Sequence, residues 1–189
     1  MKAYTSNNIR NIAVLGHGGK GKTTLCEAML YIAGASDRLG RVADGNTVLD
    51  FDSEEKRRKS SVSSAIAALE WDNTKLNIID APGLFDFEGG AAEAVRAAEA
   101  VLIVTSAGSG VDVGTEKAFR AAEKKGAAKF FAVTKTDSDH RNFYKTFDAL
   151  KEVYGNKLCP TIIPYMEGNI TKCYVCLLYT SPSPRDPKT

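Results

Sequence analysis

The sequence predicts an α/β fold, a mainly parallel sheet with helices on both faces, and this prediction depends on two observations. Short apolar runs alternate along the chain with segments of helical periodicity. The runs are continuously apolar, which is typical of strands that are buried on both faces. With 189 residues, of which 43% are hydrophobic and 25% charged, the chain is long enough for one globular domain with a sizeable core.

Predicted strands and helices alternate along the chain, except that the second and third strands follow each other directly. The strands are expected at 11–16, 65–69, 76–80, 101–105, 130–134 and 161–165, and the helices at 22–33, 89–100, 114–125 and 140–154. A short polar stretch, EWDNTK, separates the second and third strands, which allows these two to pair as an antiparallel hairpin.

The segment 34–63 is polar and without periodicity, and a loop of this length in a compact domain is usually functional or mobile. Its run EEKRRK at 54–59 mixes both signs of charge and is expected to be a solvated loop. The formal net charge of +2 is too small to predict nucleic-acid binding from electrostatics alone. No apolar run approaches the length of about 18 residues that spans a bilayer, and the N-terminus has no apolar signal segment, so a cytoplasmic location without membrane contact is expected.

Cysteine chemistry is expected to be simple. The four cysteines, in a cytoplasmic protein, are expected to remain thiols. Cys173 and Cys176 form a C-x-x-C pair, which is half of a zinc site, and no second pair completes it.

The C-terminal stretch CLLYTSPSPRD, at 176–186, interrupts the α/β pattern. It matches one translation frame of a transposon mosaic-end sequencing adapter. We therefore expect a domain over 1–172, incomplete at its C-terminal end, followed by a non-native tail over 173–189, with a natural protein that continued past about Lys172. The alternative is a genuine Pro/Ser-rich disordered tail.

The strongest motif is GHGGKGKT, which fits G-x-x-x-x-G-K-[ST] directly after a predicted strand and before a predicted helix. Its glycines allow the backbone N–H groups to surround phosphates at the positive end of the helix. Lys22 is expected to bridge the terminal phosphates, and the Thr23 hydroxyl to ligate Mg²⁺. The predicted phosphate-binding residues are Gly16, His17, Gly18, Gly19, Lys20, Gly21, Lys22, Thr23 and Thr24, with His17 expected to be a loop residue without a catalytic role.

Two further motifs lie at predicted strand ends. Asp80-Ala81-Pro82-Gly83 fits D-x-x-G, in which Asp80 would hold Mg²⁺ through water and the Gly83 amide would contact the γ-phosphate. The second, TKTD at 134–137, stands where GTPases usually have N-K-x-D. The Asp137 carboxylate can accept hydrogen bonds from two guanine donors that adenine lacks, with a worth of about 1.5–3 kcal/mol. Lys135 can lay its stem over the base, and Thr134 keeps a hydroxyl but loses the amide.

These three motifs, in this order, predict a GTPase that binds GTP or GDP with Mg²⁺. The stretch GGKGKTT also resembles the phosphate loop of partition-type ATPases, although their signature lysine is replaced by His17. An ATPase of that type therefore stays open as an alternative.

Over residues 7–170 the sequence resembles the N-terminal G domain of bacterial elongation factor G, in particular its elongation-factor-G-like branch. The resemblance is carried by IRNIAVLGHGGKGKTTLCEAML, LGRVADGNTVLDFDSEEKRRKSSVSSA, WDNTKLNIIDAPGLFDF, GVDVGTEKAF and FFAVTKTD. It implies a monomeric translational GTPase whose full-length parent binds the ribosome and couples GTP hydrolysis to translocation. It also implies that the segment ending near residue 63 is switch I, with Ser61 where the family has a magnesium-binding threonine.

The resemblance also draws attention to Leu84. The family usually reads D-T-P-G-H-x-D-F, and its histidine helps to position the attacking water. Leucine can neither accept a proton nor orient water, so hydrolysis is expected to be slow or to depend on assistance from the substrate and ribosomal RNA. Alternatively, Leu84 packs as an apolar gate under switch II, the segment that begins at the D-x-x-G motif, while another donor serves. A GTP-binding switch with little catalysis therefore stays open beside the translational GTPase. Lys22 and Gly83 are the remaining candidate catalytic residues.

Overall fold

A computed structural model of the chain describes residues 2–137, 142–167 and 170–178. The chain divides into two compact units, which are described separately below. The first comprises residues 1–105 and 112–134, and the second comprises residues 106–111 and 135–189. The tail predicted over 173–189 lies outside the described residues from 179 onward.

The first unit is built on a five-stranded sheet with the order β2-β3-β1-β4-β5. β1 pairs in parallel with both β3 and β4, whereas β2 and β3 pair antiparallel. The α/β fold with a mostly parallel sheet is thus confirmed, and the second and third strands form the hairpin that the short connection allowed. The strands are β1 (Ile9–Leu15), β2 (Ala65–Trp71), β3 (Thr74–Asp80), β4 (Ala100–Ser106) and β5 (Ala128–Thr134).

Helices cover both faces of this sheet. α1 (Lys22–Ile32) packs on β2 and β3, and its Cys26 joins the buried cluster around Val14. Leu15, on the opposite face because strand side chains alternate, lines a cavity of about 370 Å³ together with residues of two other helices. Those helices are α3 (Glu88–Ala97) and α4 (Val113–Lys125), which pack on each other and on β1.

The long connection between α1 and β2 contains a short helix, α2 (Ser53–Arg58). The expectation of a solvated loop at 54–59 was therefore wrong in conformation, because Asp52 and Glu55 form a capping box that satisfies the free amides of the first turn. The basic side chains of its last turn remain exposed, and Arg57 and Arg58 both pair with Glu54.

The second unit contains α5 (Phe143–Tyr154) and an antiparallel pair, β6 (Ile162–Glu167) and β7 (Ile170–Cys176). The strand predicted at 161–165 therefore pairs with β7 and does not extend the five-stranded sheet. Pro164 has no N–H to donate, which suits a strand with only one neighbour. The first residues of the helix predicted over 140–154 lie outside the described part of the chain. No described helix has both the length and the apolar character needed to cross a membrane.

Candidate phosphate and magnesium site

The predicted phosphate loop connects β1 to α1, as its motif requires. Gly16 and Gly21 both have positive φ values, 140° and 87°, which favour glycine. A Cβ atom at Gly16 would also overlap the carbonyl oxygen of Val104 on β4. The loop therefore wraps closely around the end of the sheet, and α1 begins at Lys22 with its free amides facing the loop.

Lys22 is buried at the centre of the loop. Its Nζ donates to the carbonyl oxygens of Gly16, at 3.0 Å, and His17, at 3.1 Å. Burial lowers the pKa of Lys22, and the nearby carboxylate of Asp80 partly opposes this effect. The ammonium group is thus held in place by the same loop whose backbone amides would donate hydrogen bonds to phosphate oxygens.

Lys20, by contrast, turns away to form an ion pair with Asp112, with 3.2 Å between Nζ and Oδ2. Asp112 is the N-cap of α4 and accepts a hydrogen bond from the amide of Thr115. The hydrogen bonds from Thr115 and from Lys20 lower the pKa of Asp112 against the opposing effect of burial, which is the largest single influence. The two lysines of the loop therefore have different surroundings: the Lys22 ammonium lies inside the loop, and the Lys20 ammonium is paired with α4.

The D-x-x-G motif meets the phosphate loop directly. A Cβ atom at Gly83 would overlap Lys22 Nζ and would lie 2.8 Å from both the Gly16 oxygen and the Gly18 nitrogen. Only glycine permits this approach, so the structure brings together the two predicted catalytic positions, Lys22 and Gly83.

Leu84 lies against the same loop. A Cβ atom at Gly18 would be 3.0 Å from Leu84 Cδ2, and the Leu84 side chain is 39% exposed. The next residue, Phe85, contacts the His17 ring with 5.4 Å between ring centroids, and the Lys117 ammonium lies 4.4 Å from the Phe85 centroid. Leu84 and Phe85 thus hold the segment that follows Gly83 against the phosphate loop by apolar and aromatic contacts.

Four oxygen-bearing side chains converge beside Lys22. Thr23 Oγ1 donates to Asp80 Oδ2 at 2.6 Å and lies 3.1 Å from Ser61 Oγ. Ser61 Oγ in turn donates to Asp50 Oδ1 at 2.7 Å. The predicted metal residues Thr23, Ser61 and Asp80 are therefore brought together, and the structure adds Asp50, which the sequence analysis missed.

These donors suit Mg²⁺, because hard divalent cations prefer carboxylate and hydroxyl oxygens. Asp80 is buried, and its Oδ1 has no hydrogen-bond partner among the described protein groups. Burial raises the pKa of Asp80 to about 6, the negative charges of Asp50 and Glu27 add to this effect, and Thr23 and Lys22 oppose it. The excess of buried negative charge is what a divalent cation would neutralise.

Thr134, the first residue of the third motif, lies at the end of β5 and contacts the phosphate loop. Its Oγ1 lies 2.6 Å from the Lys20 carbonyl oxygen and 3.1 Å from that of Thr105, and can donate to either. Thr134 is also the side chain nearest to Gly21, since a Cβ atom there would lie 3.7 Å from its Oγ1. Lys135 and Asp137 belong to the second unit, where both are exposed and Lys135 has a φ of 55°.

Replacing Thr134 by valine is expected to destabilise the chain by about 1–3 kcal/mol, because the one hydroxyl donor that lies between the carbonyl oxygens of Lys20 and Thr105 is lost while the volume is kept. Urea denaturation followed by circular dichroism measures this loss. Thr136→Val, two residues further on, is the control. The Thr136 hydroxyl is hydrogen-bonded to the Tyr174 hydroxyl at 3.1 Å, and because this bond is exposed to solvent its loss is expected to cost less than about 0.5 kcal/mol. Equal losses in the two variants would contradict the structural role of Thr134.

The fold and this site define a class of protein. A glycine-rich loop between β1 and α1, a glycine that touches its lysine, and a hydroxyl–carboxylate cluster beside it are the features of a P-loop GTPase domain. The chain belongs to the family of the elongation factor Tu GTP-binding domain, whose family model matches residues 7–176.

The chain is similar to proteins named as elongation factors. It is 37% identical over 162 residues to an elongation factor G-like protein of Mycobacterium tuberculosis, a match that covers 86% of this chain and 23% of the relative. It is 32% identical to elongation factor G of Granulibacter bethesdensis, over 87% of this chain and 24% of that protein. This chain therefore spans about a quarter of the length of these relatives.

A solved structure supports the same assignment. A crystal structure of a Thermus thermophilus protein matches with a TM-score of 0.85 and 37% identity, over 90% of this chain and 26% of that one. The resemblance to the G domain of elongation factor G, predicted from the motifs, is thus confirmed.

Proposed function

We propose that this chain binds and hydrolyses GTP as the G domain of an elongation-factor-G-like translation factor whose full-length parent acts on the ribosome. The observation that carries the proposal is the approach of Gly83 to Lys22 and the phosphate loop, beside the cluster of Thr23 and Asp80. A γ-phosphate held by Lys22 would be sensed by the Gly83 amide, which makes the start of switch II depend on the nucleotide.

Each predicted site residue has a proposed role. The phosphates would be bound by residues 16–24 and by Gly83, with Lys22 and Gly83 stabilising the transferring group. Mg²⁺ would be held by Thr23 and Ser61 and, through water, by Asp80, and Asp50 is added to this set. When bound, the ion would neutralise charge on the phosphate oxygens. Guanine would be recognised by Asp137, with the Lys135 stem over the base and Thr134 bracing the loop.

A nucleotide competition experiment tests whether the chain prefers guanine nucleotides, on which the proposal depends. A fluorescent GDP derivative bound to the chain is expected to be displaced by GTP and not by ATP, because adenine lacks the two donors that the Asp137 carboxylate accepts. Displacement by ATP at equal concentration would instead favour the partition-type ATPase. Asp137→Asn removes the charge at the same position and is expected to weaken GTP binding selectively.

A second candidate, a GTP-binding switch with weak catalysis, is favoured by one observation. The side chain that follows Gly83 is an apolar leucine packed on Gly18, which offers no proton acceptor to an attacking water. In this second candidate the chain would bind GTP and change switch II, and hydrolysis would contribute little.

Leu84→His distinguishes the two candidates. If the missing imidazole limits catalysis, the full-length parent with this substitution is expected to hydrolyse GTP about 10²-fold faster than the unsubstituted parent in the presence of ribosomes. Leu84→Met, which keeps an apolar side chain of similar volume, is the control and should hydrolyse at the original rate. An original chain that already turns over as fast as its histidine variant would refute the weak-catalysis candidate and support Leu84 as an apolar gate.

The step of translation that the parent serves is proposed to be translocation. A relative with a different name, mitochondrial ribosome-releasing factor 2 of Debaryomyces hansenii, is 34% identical to this chain over 88% of the chain. Because sequence identity does not choose between the two roles, a translocation assay with the full-length parent is the appropriate test. We further propose a cytoplasmic monomer, a G domain over residues 1–172 and a non-native tail over 173–189. Sequencing the source locus with primers that exclude adapters tests this boundary.

A further inference from the structure

The segment from Thr47 to Ser63, called switch I below, is held from inside by buried glutamates that do not belong to the phosphate and magnesium site. Glu27 on α1 has no exposed surface, and Glu55 on α2 is 1% exposed. Buried carboxylates are costly unless hydrogen bonds compensate the lost hydration. Both carboxylates therefore mark a contact on which the conformation of switch I depends.

Glu27 holds the beginning of switch I. Its Oε1 accepts hydrogen bonds from the amides of Val48, at 2.7 Å, and Leu49, at 3.0 Å. A Cβ atom at Gly40 would lie 2.9 Å from Glu27 Cδ and equally close to Thr47 Cα, so the chain is packed tightly around this carboxylate.

Glu55 holds the end of switch I in the same way. Its Oε1 accepts from the amides of Val62 and Ser63, both at 3.0 Å, and its Oε2 accepts from the amide of Asp52 at 3.2 Å. The carboxylate thus caps its own helix with one oxygen and fastens the chain after Ser61 with the other.

The two anchors share a pattern. Asp50 directly follows the amide pair held by Glu27, and Ser61 directly precedes the amide pair held by Glu55. Asp50 and Ser61 are hydrogen-bonded to each other, and Ser61 lies beside Thr23. Each side chain that switch I contributes to the magnesium site therefore adjoins two backbone amides that a buried glutamate fixes.

We propose that Glu27 and Glu55 are positioning residues that hold switch I closed, so that Asp50 and Ser61 reach the magnesium ion beside Thr23. This inference rests on the proposed function for the identity of the ion, but the anchoring itself concerns only this chain. Charge-assisted hydrogen bonds to backbone amides are stronger than neutral ones, which gives one side chain enough influence to fix several residues of loop.

Limited trypsin digestion of the nucleotide-free chain tests the anchoring. Glu55→Ala is expected to raise the rate of cleavage within the basic run 56–59 about tenfold or more, because cleavage follows the population of the open segment. Glu54→Ala is a matched control on the same helix, since the ion pairs of Glu54 within the described part of the chain are with exposed Arg57 and Arg58. It is expected to change cleavage less than about threefold. Mass spectrometry identifies the cut sites.

A second readout separates positioning from general weakening. The release rate of a fluorescent GTP analogue is measured in EDTA and in Mg²⁺. The rate in EDTA divided by the rate in Mg²⁺ is expected to fall about tenfold in Glu55→Ala, because the ion slows release less when switch I no longer reaches it. General weakening would raise both rates and leave the ratio unchanged. Glu55→Gln keeps an oxygen acceptor for Val62 and Ser63 and is expected to recover most of the ratio.

Equal cleavage of Glu55→Ala and Glu54→Ala, or an unchanged release ratio, would overturn the inference. If the circular dichroism spectrum shows that Glu55→Ala is unfolded, Glu55→Gln is compared with Glu54→Gln instead. Cleavage of Glu55→Gln is expected to be about threefold faster, because its hydrogen bonds from Val62 and Ser63 are no longer charge-assisted. Equal cleavage of these two would overturn the inference as well. A chain that binds no guanine nucleotide would refute the proposed function, whereas the digestion would still decide the anchoring.

Discussion

Lys22→Ala is expected to weaken the binding of GDP and GTP by about 10²–10³-fold, as measured by titration with a fluorescent GDP derivative. The Lys22 ammonium is buried and oriented by two carbonyl oxygens of its own loop, so it meets phosphate oxygens without further ordering. The third N–H of the ammonium would donate a charge-assisted hydrogen bond to phosphate, and the loss of this bond together with the attraction between the ammonium and the phosphate charges accounts for an effect of this size.

Lys20→Ala is the matched control, because Lys20 lies two residues away in the same loop and carries the same charge. Its ammonium is paired with Asp112 at the start of α4, and its contribution to the loop through Thr134 is made by the backbone carbonyl. The expected loss of affinity is therefore less than about fivefold. Losses of equal size in the two variants would show that net loop charge, and not the placement of Lys22, binds the nucleotide.

The strands and most helices could be predicted because each depends on a local pattern. The continuous apolar run before Gly16 and the run before Asp80 correspond to β1 and β3, which lie side by side in the sheet. Since the carboxyl ends of parallel strands meet at one edge, the motifs that follow these strands could be expected to converge. The phosphate loop and the D-x-x-G motif indeed do so.

Switch I could not be predicted to the same extent. Asp50 lies in an aperiodic segment, and it accepts the hydrogen bond from Ser61, eleven residues further on, only because the chain folds back on itself. The capping box of Asp52 and Glu55 is a local signal from which α2 could have been found. No local signal indicates that the other oxygen of Glu55 holds residues 62 and 63, because that contact depends on the path of the loop.

Thr134 shows a different limit of sequence reasoning. Its residue type predicts the loss of an amide from the usual motif, but not the acceptor that its hydroxyl finds. That acceptor, the carbonyl of Lys20, is 114 residues away in the sequence. Contacts at this separation follow from the order of the strands in the sheet, which a single sequence determines only collectively.

Asp80 combines a cost to stability with a proposed role in binding. Its folded pKa of about 6 lies above the ordinary value of 3.8, with burial as the main cause. Ionisation of this carboxyl therefore opposes folding. The penalty is absent below about pH 4, where Asp80 is protonated in both states, and it is complete above about pH 6. The pKa shift corresponds to a loss of roughly 3 kcal/mol in the free energy of unfolding at neutral pH in the absence of metal.

Asp80→Asn is accordingly expected to raise the free energy of unfolding of the Mg²⁺-free chain by about 2 kcal/mol at pH 8. The asparagine oxygen can still accept the hydrogen bond from Thr23, so the packing is kept. The gain is expected to disappear as the pH falls through 6 toward 4. Urea denaturation in EDTA at pH 4.5, 6 and 8 measures it. The same variant is expected to bind GTP about 10- to 100-fold more weakly in Mg²⁺.

Asp86→Asn is the control, because it removes an exposed carboxylate six residues after Asp80. It is expected to change neither the free energy of unfolding nor the affinity for GTP appreciably. If Asp80→Asn destabilises the chain equally at all three pH values, the buried charge is already compensated, and the raised pKa of Asp80 is refuted. If it stabilises the chain but leaves Mg²⁺-dependent binding intact, Asp80 is not in the magnesium site. Only gain and loss together in one variant support a carboxylate that is kept, at a cost in stability, because the bound ion requires its charge.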